Sequence, residues 1–160
     1  MPTPPTVQPI PTGFRTVTPH LVVHSAAEAL AFYTRAFAGV ERRRSPMPDG
    51  RIMHAEIQIG DSIVFVVDDF PEFCGGKSKH PRSLGGTPVS LHLYVDNCDA
   101  WTDRAAKAGC EVVMPPMDAF WGDRFAMVRD PFGHEWTIAT HTRDLTPDQM
   151  CAEMKKSMGR

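Results

Sequence analysis

Residues 17–23 read VTPHLVV, and residues 89–95 read VSLHLYV. In both segments apolar side chains recur at every second position, which is the pattern of a strand with one buried face. The valines that end the two segments lie 95 − 23 = 72 residues apart. Phe65 and Thr137, in later strand patterns, are separated by the same distance, 137 − 65 = 72. A constant offset at both ends of a unit predicts an internal duplication.

Each of these strands is followed by one helical pattern and three further strand patterns. In the first unit Ser25 is the predicted N-cap, Glu28 completes a capping box, and the helix runs to about residue 38. In the second unit the helix begins at Asn97 or Asp99. The remaining strands are predicted at about 40–47, 51–59 and 62–68, and again at about 111–117, 123–129 and 134–140.

The division of the chain follows from this repeat. Residues 1–13 hold five prolines, and because proline fixes φ and lacks a donor, they predict an extended arm. The fold class is α+β, with a first βαβββ module at residues 14–68, a linker at 69–87, a second module at 88–142 and a C-terminal helix within 143–160. The C-terminal helix carries methionines at helical spacing, which would cover either a partner or its own domain.

Composition excludes several classes of protein. The 160 residues include 17 Lys+Arg and 19 Asp+Glu, a net charge of −2, so the chain lacks the basic character of a nucleic-acid binder. No run approaches the ~18–20 apolar residues of a membrane helix. The proline-rich start lacks the features of a signal peptide, and the four cysteines form no CxxC pair. These observations predict a cytoplasmic protein with reduced thiols.

Several strands carry a polar and aromatic row opposite their apolar row. Ser90, His92 and Tyr94 share one face of their strand. His20 holds the equivalent place in the first module, since 92 − 20 = 72, and His54 and Glu56 share one face of the third strand. A face of this composition, with aromatic side chains among the polar ones, favours the lining of a small-molecule cavity.

Five groups of residues carry a resemblance to the vicinal oxygen chelate superfamily, which includes glyoxalase I, bleomycin-resistance proteins and extradiol dioxygenases. They cover roughly residues 14–145, and their detail is similar to the PhnB-like branch. The resemblance implies two tandem βαβββ modules that form a cupped mixed sheet, as half-barrels, around a ligand cavity. It also implies a homodimer. The segments are AFY within residues 29–33, HAEI at 54–57 with Gly60-Asp61, LGGTP at 84–88 before LHLYV at 91–95, FWGDR at 120–124 and DPFGHEW at 130–136.

The resemblance also frames the question of a metal. Metalloenzymes of this superfamily place ligands on the first, fourth, fifth and eighth strands, which here fall near Thr18, Phe65, Ser90 and Thr137. None of these is a strong ligand for a divalent metal. We therefore expect no cofactor and no metal at the usual site. One alternative is a divalent metal displaced to His20 and His92, with Glu56 or His54 as a third ligand.

Three functions follow from this sequence. The first is a metal-independent small-molecule-binding protein of the glyoxalase/bleomycin-resistance type. The second is a lyase, isomerase or oxygenase with the displaced metal. The third is a metal-free enzyme that uses His54 and Glu56 as acid and base. The pocket residues expected are Thr18, His20, His54, Glu56, Phe65, Ser90, His92, Tyr94, Trp121, Arg124 and Thr137.

The segment FWGDR has two interpretations. In the functional one, Trp121 stacks on a planar ligand and Arg124 holds an anionic group through its planar guanidinium. In the structural one, Asp123 and Arg124 fix a turn while Phe120 and Trp121 pack under a loop. The sequence leaves both open.

Overall fold

The structure is a computed structural model, and it describes residues 7–159. Of the arm predicted at residues 1–13, the first six residues therefore lie outside the described part. Within it, no helix is long and apolar enough to cross a membrane. The elements are β1 (His20–Val23), α1 (Ala26–Phe37), β2 (Val40–Pro46), β3 (Ile52–Ile59), β4 (Ser62–Asp68), a 3₁₀ turn (Pro71–Phe73), α2 (Pro81–Leu84), β5 (Ser90–Tyr94), α3 (Cys98–Ala108), β6 (Glu111–Asp118), β7 (Asp123–Arg129), β8 (Glu135–His141) and α4 (Pro147–Met158).

The predicted α+β fold with two βαβββ modules is confirmed. The strands form two open four-stranded mixed sheets, in the orders β1-β4-β3-β2 and β5-β8-β7-β6. In each sheet the first strand is parallel to the last, and the other pairings are antiparallel. β1 begins at His20 rather than at the predicted residue 17, because Pro19 has no N–H to donate and contributes only its carbonyl, to Phe65 N.

The strand register confirms the duplication. His20 lies opposite Phe65, and His92 lies opposite Thr137, so both pairs differ by 72 residues. The third strand of each module departs from this offset. Phe65 pairs with Glu56 but Thr137 pairs with Met127, and 127 − 56 = 71. The second module therefore has one residue fewer before its third strand and one residue more between its third and fourth strands.

Helix α1 forms because its apolar residues recur on one face, where Leu30, Tyr33 and Phe37 are buried. The predicted capping box at its start is wrong. Ser25 is the N-cap residue, but its side chain makes no capping hydrogen bond. Asp68, at the end of β4, accepts the N–H of Ala26 instead at 2.8 Å. A tertiary contact thus supplies the cap that the local sequence pattern assigned to serine.

The two modules share one core through their helices. Helix α1 packs against α3, and the buried residues of both modules form a single cluster. Asp130 joins the modules, because its Oδ2 accepts the hydroxyl of Tyr33 at 2.8 Å and the indole N–H of Trp136 at 2.9 Å. Trp136 in turn lies 4.5 Å from the ring of Phe37. Each helix therefore covers one face of the sheet of its own module. The opposite face of each sheet is left for a site.

Helix α4 begins with a capping box between Thr146 and Gln149 and has no buried residues. Met158 is 76% exposed and Met150 is 36% exposed. In the methionine row predicted from the sequence, Met150 and Met158 are therefore exposed and Met154 is half-buried.

Candidate ligand-binding faces

A buried carboxylate organises the uncovered face of the second module. Asp123 is 4% exposed and stands at the start of β7. Its Oδ2 accepts the indole N–H of Trp121 at 2.9 Å and the hydroxyl of Tyr94 at 3.3 Å. Its Oδ1 lies 2.8 Å from Nδ1 of His141, the residue opposite it on β8. One carboxylate therefore fixes side chains from three separate segments.

The turn before β7 sets the position of Trp121. Gly122 has φ +101, and a Cβ there would lie 2.3 Å from the carbonyl oxygen of Arg143. The carbonyl of Gly122 accepts the backbone N–H groups of Thr142 and Arg143 at 3.0 and 2.9 Å. Only glycine fits this close approach, so the segment after β8 holds the turn in place.

Four rings and a threonine complete this face. His92 Nδ1 lies 2.7 Å from Thr137 Oγ1, and the His92 ring is 4.5 Å from the ring of Tyr94. The ring of Phe125 is 6.4 Å from that of His92 and 5.3 Å from that of Trp121. The residues that form what we call the second-module face are His92, Tyr94, Trp121, Phe125 and Thr137.

Electrostatics at this face centre on Asp123. The negative charge of Asp123 raises the pKa of Tyr94 above its usual value, so the hydroxyl stays a donor. Hydrogen bonds to Asp144 and then to Asp123 raise the pKa of His141. The two carboxylates thus favour the charged form of the His141 imidazole beside Asp123.

The uncovered face of the first module carries a different set of groups. His54 Nε2 lies 3.2 Å from Glu56 Oε1, and the rings of His54 and Phe65 are 4.6 Å apart. The ring of His20 meets the edge of Phe65 at 5.9 Å. Desolvation, and secondarily the proximity of His54, lower the pKa of His20 below 6.5. We call His20, His54, Glu56 and Phe65 the first-module face.

Two cavities adjoin these faces. A groove of about 750 Å³ lies between the modules, and it is bordered by Thr18 together with Ser90, His92 and Tyr94. A cavity of about 520 Å³ lies beneath the N-terminal arm, and Thr18 borders it together with Glu56 and Phe65. Of the predicted pocket residues, six border one of these two cavities, with Thr18 beside both. The others border neither of the two: His20, His54, Trp121, Arg124 and Thr137.

Arg124 lies away from both faces. Its guanidinium bonds Asp99 on α3 at 2.8 and 2.9 Å and Asp118 on β6 at 3.3 Å. Because side chains alternate along β7, Arg124 lies on the helix side while Phe125 lies on the opposite side. The structure therefore joins the two interpretations of FWGDR, since Trp121 lies on the uncovered face and Arg124 fastens β7 to α3.

Sequence reasoning missed Asp123 as the centre of the face and missed His141 altogether. Both residues are common in turns and at strand ends, so their types alone carry no signal. Asp123 and His141 are opposite each other only through the pairing of β7 with β8. The proximity of Asp123 to Trp121 in the sequence was the one local hint.

The residues at the level of the two histidines do not fit the metal centre of the superfamily. The strand register sets Phe65 opposite His20 and Thr137 opposite His92, two residues beyond Thr18 and Ser90. At this level β1, β4, β5 and β8 carry His20, Phe65, His92 and Thr137. Two imidazoles, one phenyl ring and one hydroxyl are a poor set of donors for a divalent metal. Among residues 7–159, no three His, Cys, Asp or Glu side chains are grouped as metal ligands.

Comparison with known proteins gives relatives over most of the chain. A protein of Mycobacterium tuberculosis strain H37Rv, Rv0887c, is 48% identical over 138 residues, which is 86% of this chain and 81% of the relative. TioX from Micromonospora sp. ML1 is 28% identical with a TM-score of 0.62, covering 79% of this chain and 98% of its own. A glyoxalase/bleomycin resistance protein/dioxygenase from Nocardioides shares the fold, with a TM-score of 0.62, 23% identity, and coverage of 83% and 87%.

The family match spans both modules. Residues 14–138 match the Glyoxalase/Bleomycin resistance protein/Dioxygenase superfamily. This range begins after the proline-rich arm and ends within β8, so it contains both sheets and both central helices. The chain belongs to the glyoxalase/bleomycin resistance protein/dioxygenase superfamily.

Proposed function

We propose that the protein binds a planar or amphipathic small molecule on its uncovered sheet faces and does so without a metal. The observation that carries this proposal is the fixing of Trp121 and Tyr94 by the buried carboxylate of Asp123. Fixing two aromatic side chains before a ligand arrives lowers the entropy that binding must remove. Tyr94 is 67% exposed, so its ring is available for contact. Aromatic walls with a few polar groups suit such a ligand.

Binding is tested with two probes, bleomycin and the neutral bicyclic 2-naphthamide, by isothermal titration and quenching of tryptophan emission. We expect at least one probe to bind, and Trp121→Ala to raise its dissociation constant by about tenfold, the scale of a lost aromatic stacking contact. Phe73→Ala is the control, because Phe73 is exposed and borders neither of the two cavities. Affinity equal in the Trp121→Ala variant and the wild type would contradict the proposed face.

The metal-free character has its own test. Protein purified without a nickel column is analysed for metal content, and we expect no stoichiometric metal because the donor set is poor. About one metal per chain, lost in His92→Ala, would instead support a lyase, isomerase or oxygenase with His20, His92 and Glu56 as ligands. Residues of a second copy would then have to complete the centre.

A second candidate is favoured by the contact between His54 and Glu56. The 3.2 Å separation of these side chains is that of an acid and a base able to share a proton. If the protein is a metal-free enzyme, a bound ligand should turn over and Glu56→Gln should stop the reaction while binding persists. Recovery of the unchanged ligand from wild-type protein after long incubation would contradict this candidate.

We also propose a homodimer of the PhnB-like branch that acts in the cytoplasm. The support for a dimer is that each sheet has one face that its helix does not cover, and that helix α4 has no buried residue. The four cysteines are free, and two of them are buried, which suits a reducing compartment. Light scattering coupled to size exclusion should give a mass near twice the chain's 17.8 kDa. A mass near that of one chain would contradict the dimer.

A further inference from the structure

We propose that the cavity beneath the N-terminal arm binds a planar aromatic anion, such as an aryl carboxylate. This inference rests on the proposed small-molecule function and names the chemical class of ligand for the first-module face. The cavity measures about 520 Å³ and lies between the arm and the sheet of the first module. That volume is within the range of small-molecule sites, roughly 300–1,000 Å³.

Two phenyl rings form the apolar walls of this cavity. Phe14, on the arm, lies 5.7 Å from Phe65 on β4, with the ring planes inclined at 56°. The ring of His54 also contacts Phe65, with the ring centroids 4.6 Å apart. Ile10 adds an aliphatic wall. A flat hydrocarbon ring system fits such walls because it gains stacking and excludes water at once.

Two guanidinium groups give the cavity its charge. Arg15 and Arg43 both line it. Of the three consecutive arginines on β2, Arg42 donates to Gln58 and Arg44 forms a bidentate pair with Glu41. Neither Arg15 nor Arg43 makes an ion pair within the described residues 7–159. Since a guanidinium binds carboxylates through two parallel N–H groups, these two side chains are suited to an anionic ligand.

The backbone explains why Arg43 differs from its neighbours. An irregularity of register lies between Glu41 and Arg43, and beyond it Arg43 is set opposite Glu56 on β3. A shift of one residue moves a side chain to the other face of the sheet, so the bulge determines which arginine reaches the cavity. The choice among three identical residues is thus made by strand pairing.

Glu56 limits the charge of the ligand. It borders the same cavity, and its Oε1 lies near His54 Nε2. The two guanidinium groups and the Glu56 carboxylate together carry one net positive charge. A monoanion therefore balances the site, whereas a dianion would be repelled by Glu56.

The arm is part of the site. A turn in which Phe14 N donates to Pro11 O at 3.1 Å brings Phe14 over the sheet. Proline reduces the freedom of the unbound segment, so less entropy is lost when a ligand fixes it. The arm would then serve as one wall of the pocket.

The test compares 2-naphthoate with its neutral analogue 2-naphthamide by isothermal titration to the full chain at low salt. We expect naphthoate to bind at least about tenfold more tightly than naphthamide, because only the anion engages the guanidinium groups. Arg15→Gln and Arg43→Gln should each remove most of that preference, and Phe14→Ala should weaken the binding of naphthoate. Arg44→Gln is the matched control, since its partner Glu41 keeps it away from the cavity, and it should change affinity less than twofold.

The outcomes separate this inference from the proposed function. Equal affinity for naphthoate and naphthamide, with both lost in Trp121→Ala, would overturn the anion site and leave the proposed function standing. Naphthoate preference that survives the double variant Arg15→Gln/Arg43→Gln would also overturn it. Failure of naphthoate to bind the wild type would overturn the inference, whereas the proposed function is judged by bleomycin and naphthamide.

Discussion

Buried aspartates connect residues that are far apart in the sequence. Asp68, Asp123 and Asp130 are 7%, 4% and 4% exposed, and each accepts two or more hydrogen bonds. Asp130 also accepts the N–H groups of Phe132 and His134 through its other oxygen. A buried carboxylate persists only when its lone pairs are satisfied, so these residues specify the local geometry around them.

Replacing Tyr33 by Phe tests the contact between the modules. The variant loses a hydroxyl that donates to the buried carboxylate of Asp130, so we expect the free energy of unfolding to fall by about 1.5–3 kcal/mol, the range for a bond to a charged group. Tyr94→Phe is the comparison, because the Tyr94 hydroxyl donates to Asp123 at a longer 3.3 Å from an exposed side chain, and it should cost less than Tyr33→Phe. Urea unfolding measures both. Equal losses in the two variants would contradict a larger contribution from the buried Tyr33–Asp130 contact.

The same tyrosine predicts a dependence of stability on alkaline pH. Burial, and then the charge of Asp130, raise the pKa of Tyr33 well above 10 in the folded state. The unfolded chain ionises near pH 10, so the contribution of the neutral phenol is complete below that pH and is lost as the pH rises above it. The wild type should therefore lose stability above pH 10 more steeply than Tyr33→Phe. Parallel curves for the two proteins would contradict this.

At the scale of elements, the two modules solve the same capping problem with different residues. Asp68 accepts the N–H of Ala26 at the start of α1, and Thr140 accepts the N–H of Cys98 at the start of α3. Both pairs follow the repeat, since 140 − 68 = 72 and 98 − 26 = 72. The last strand of each module thus caps the helix of that module, and this coupling holds strand and helix in register.

The element-scale prediction contrasts Asp68→Ala with Ser25→Ala. Asp68 also accepts the N–H of Ile52 at 2.6 Å, so its loss leaves two buried donors without partners. We expect Asp68→Ala to lower the free energy of unfolding by at least about 2 kcal/mol. Ser25→Ala should cost less than about 0.5 kcal/mol, because that side chain makes no capping bond. If Ser25→Ala lowered the free energy of unfolding more than Asp68→Ala in urea titrations, the local capping box would be supported over the cap by Asp68.

The turn that positions Trp121 gives a second prediction at this scale. In Gly122→Ala the added Cβ would meet the Arg143 carbonyl at 2.3 Å, so the turn must shift and Trp121 with it. Gly50→Ala is a matched control, since φ there is +87 and no atom lies within 4 Å of the added Cβ. The near-ultraviolet circular dichroism of Trp121 should change only in Gly122→Ala. An unchanged spectrum would mean that the turn accommodates the methyl group.

At the scale of the whole molecule, the two modules share one cluster of buried residues. Phe37 of α1 contacts Trp136 of β8, and both are at most 1% exposed. His134 Nε2 lies 3.1 Å from the carbonyl of Val22, so a turn of the second module also satisfies the free edge of β1. Contacts of this kind make each module depend on the other for part of its core.

We therefore predict a single unfolding transition. Backbone circular dichroism and tryptophan emission should give the same midpoint, although all three tryptophans lie in the second module. Phe37→Ala should lower that common midpoint and cost about 3–5 kcal/mol through the cavity it leaves. Phe73→Ala is a control, since Phe73 is 67% exposed. Two separated transitions in the wild type would contradict a shared core.

The sequence alone determined the two-module fold and the family, because strand alternation, helix spacing and the 72-residue offset are local or repeated signals. It also determined which side chains share a strand face, as with His54 and Glu56. Tertiary structure decided the rest. Strand pairing sets His20, not Thr18, opposite Phe65, and a bulge selects Arg43 from three arginines. The predicted pocket residues are divided between the two sheets, whose modules meet through the packing of α1 on α3. These outcomes depend on pairing and packing between distant segments, which no local pattern encodes.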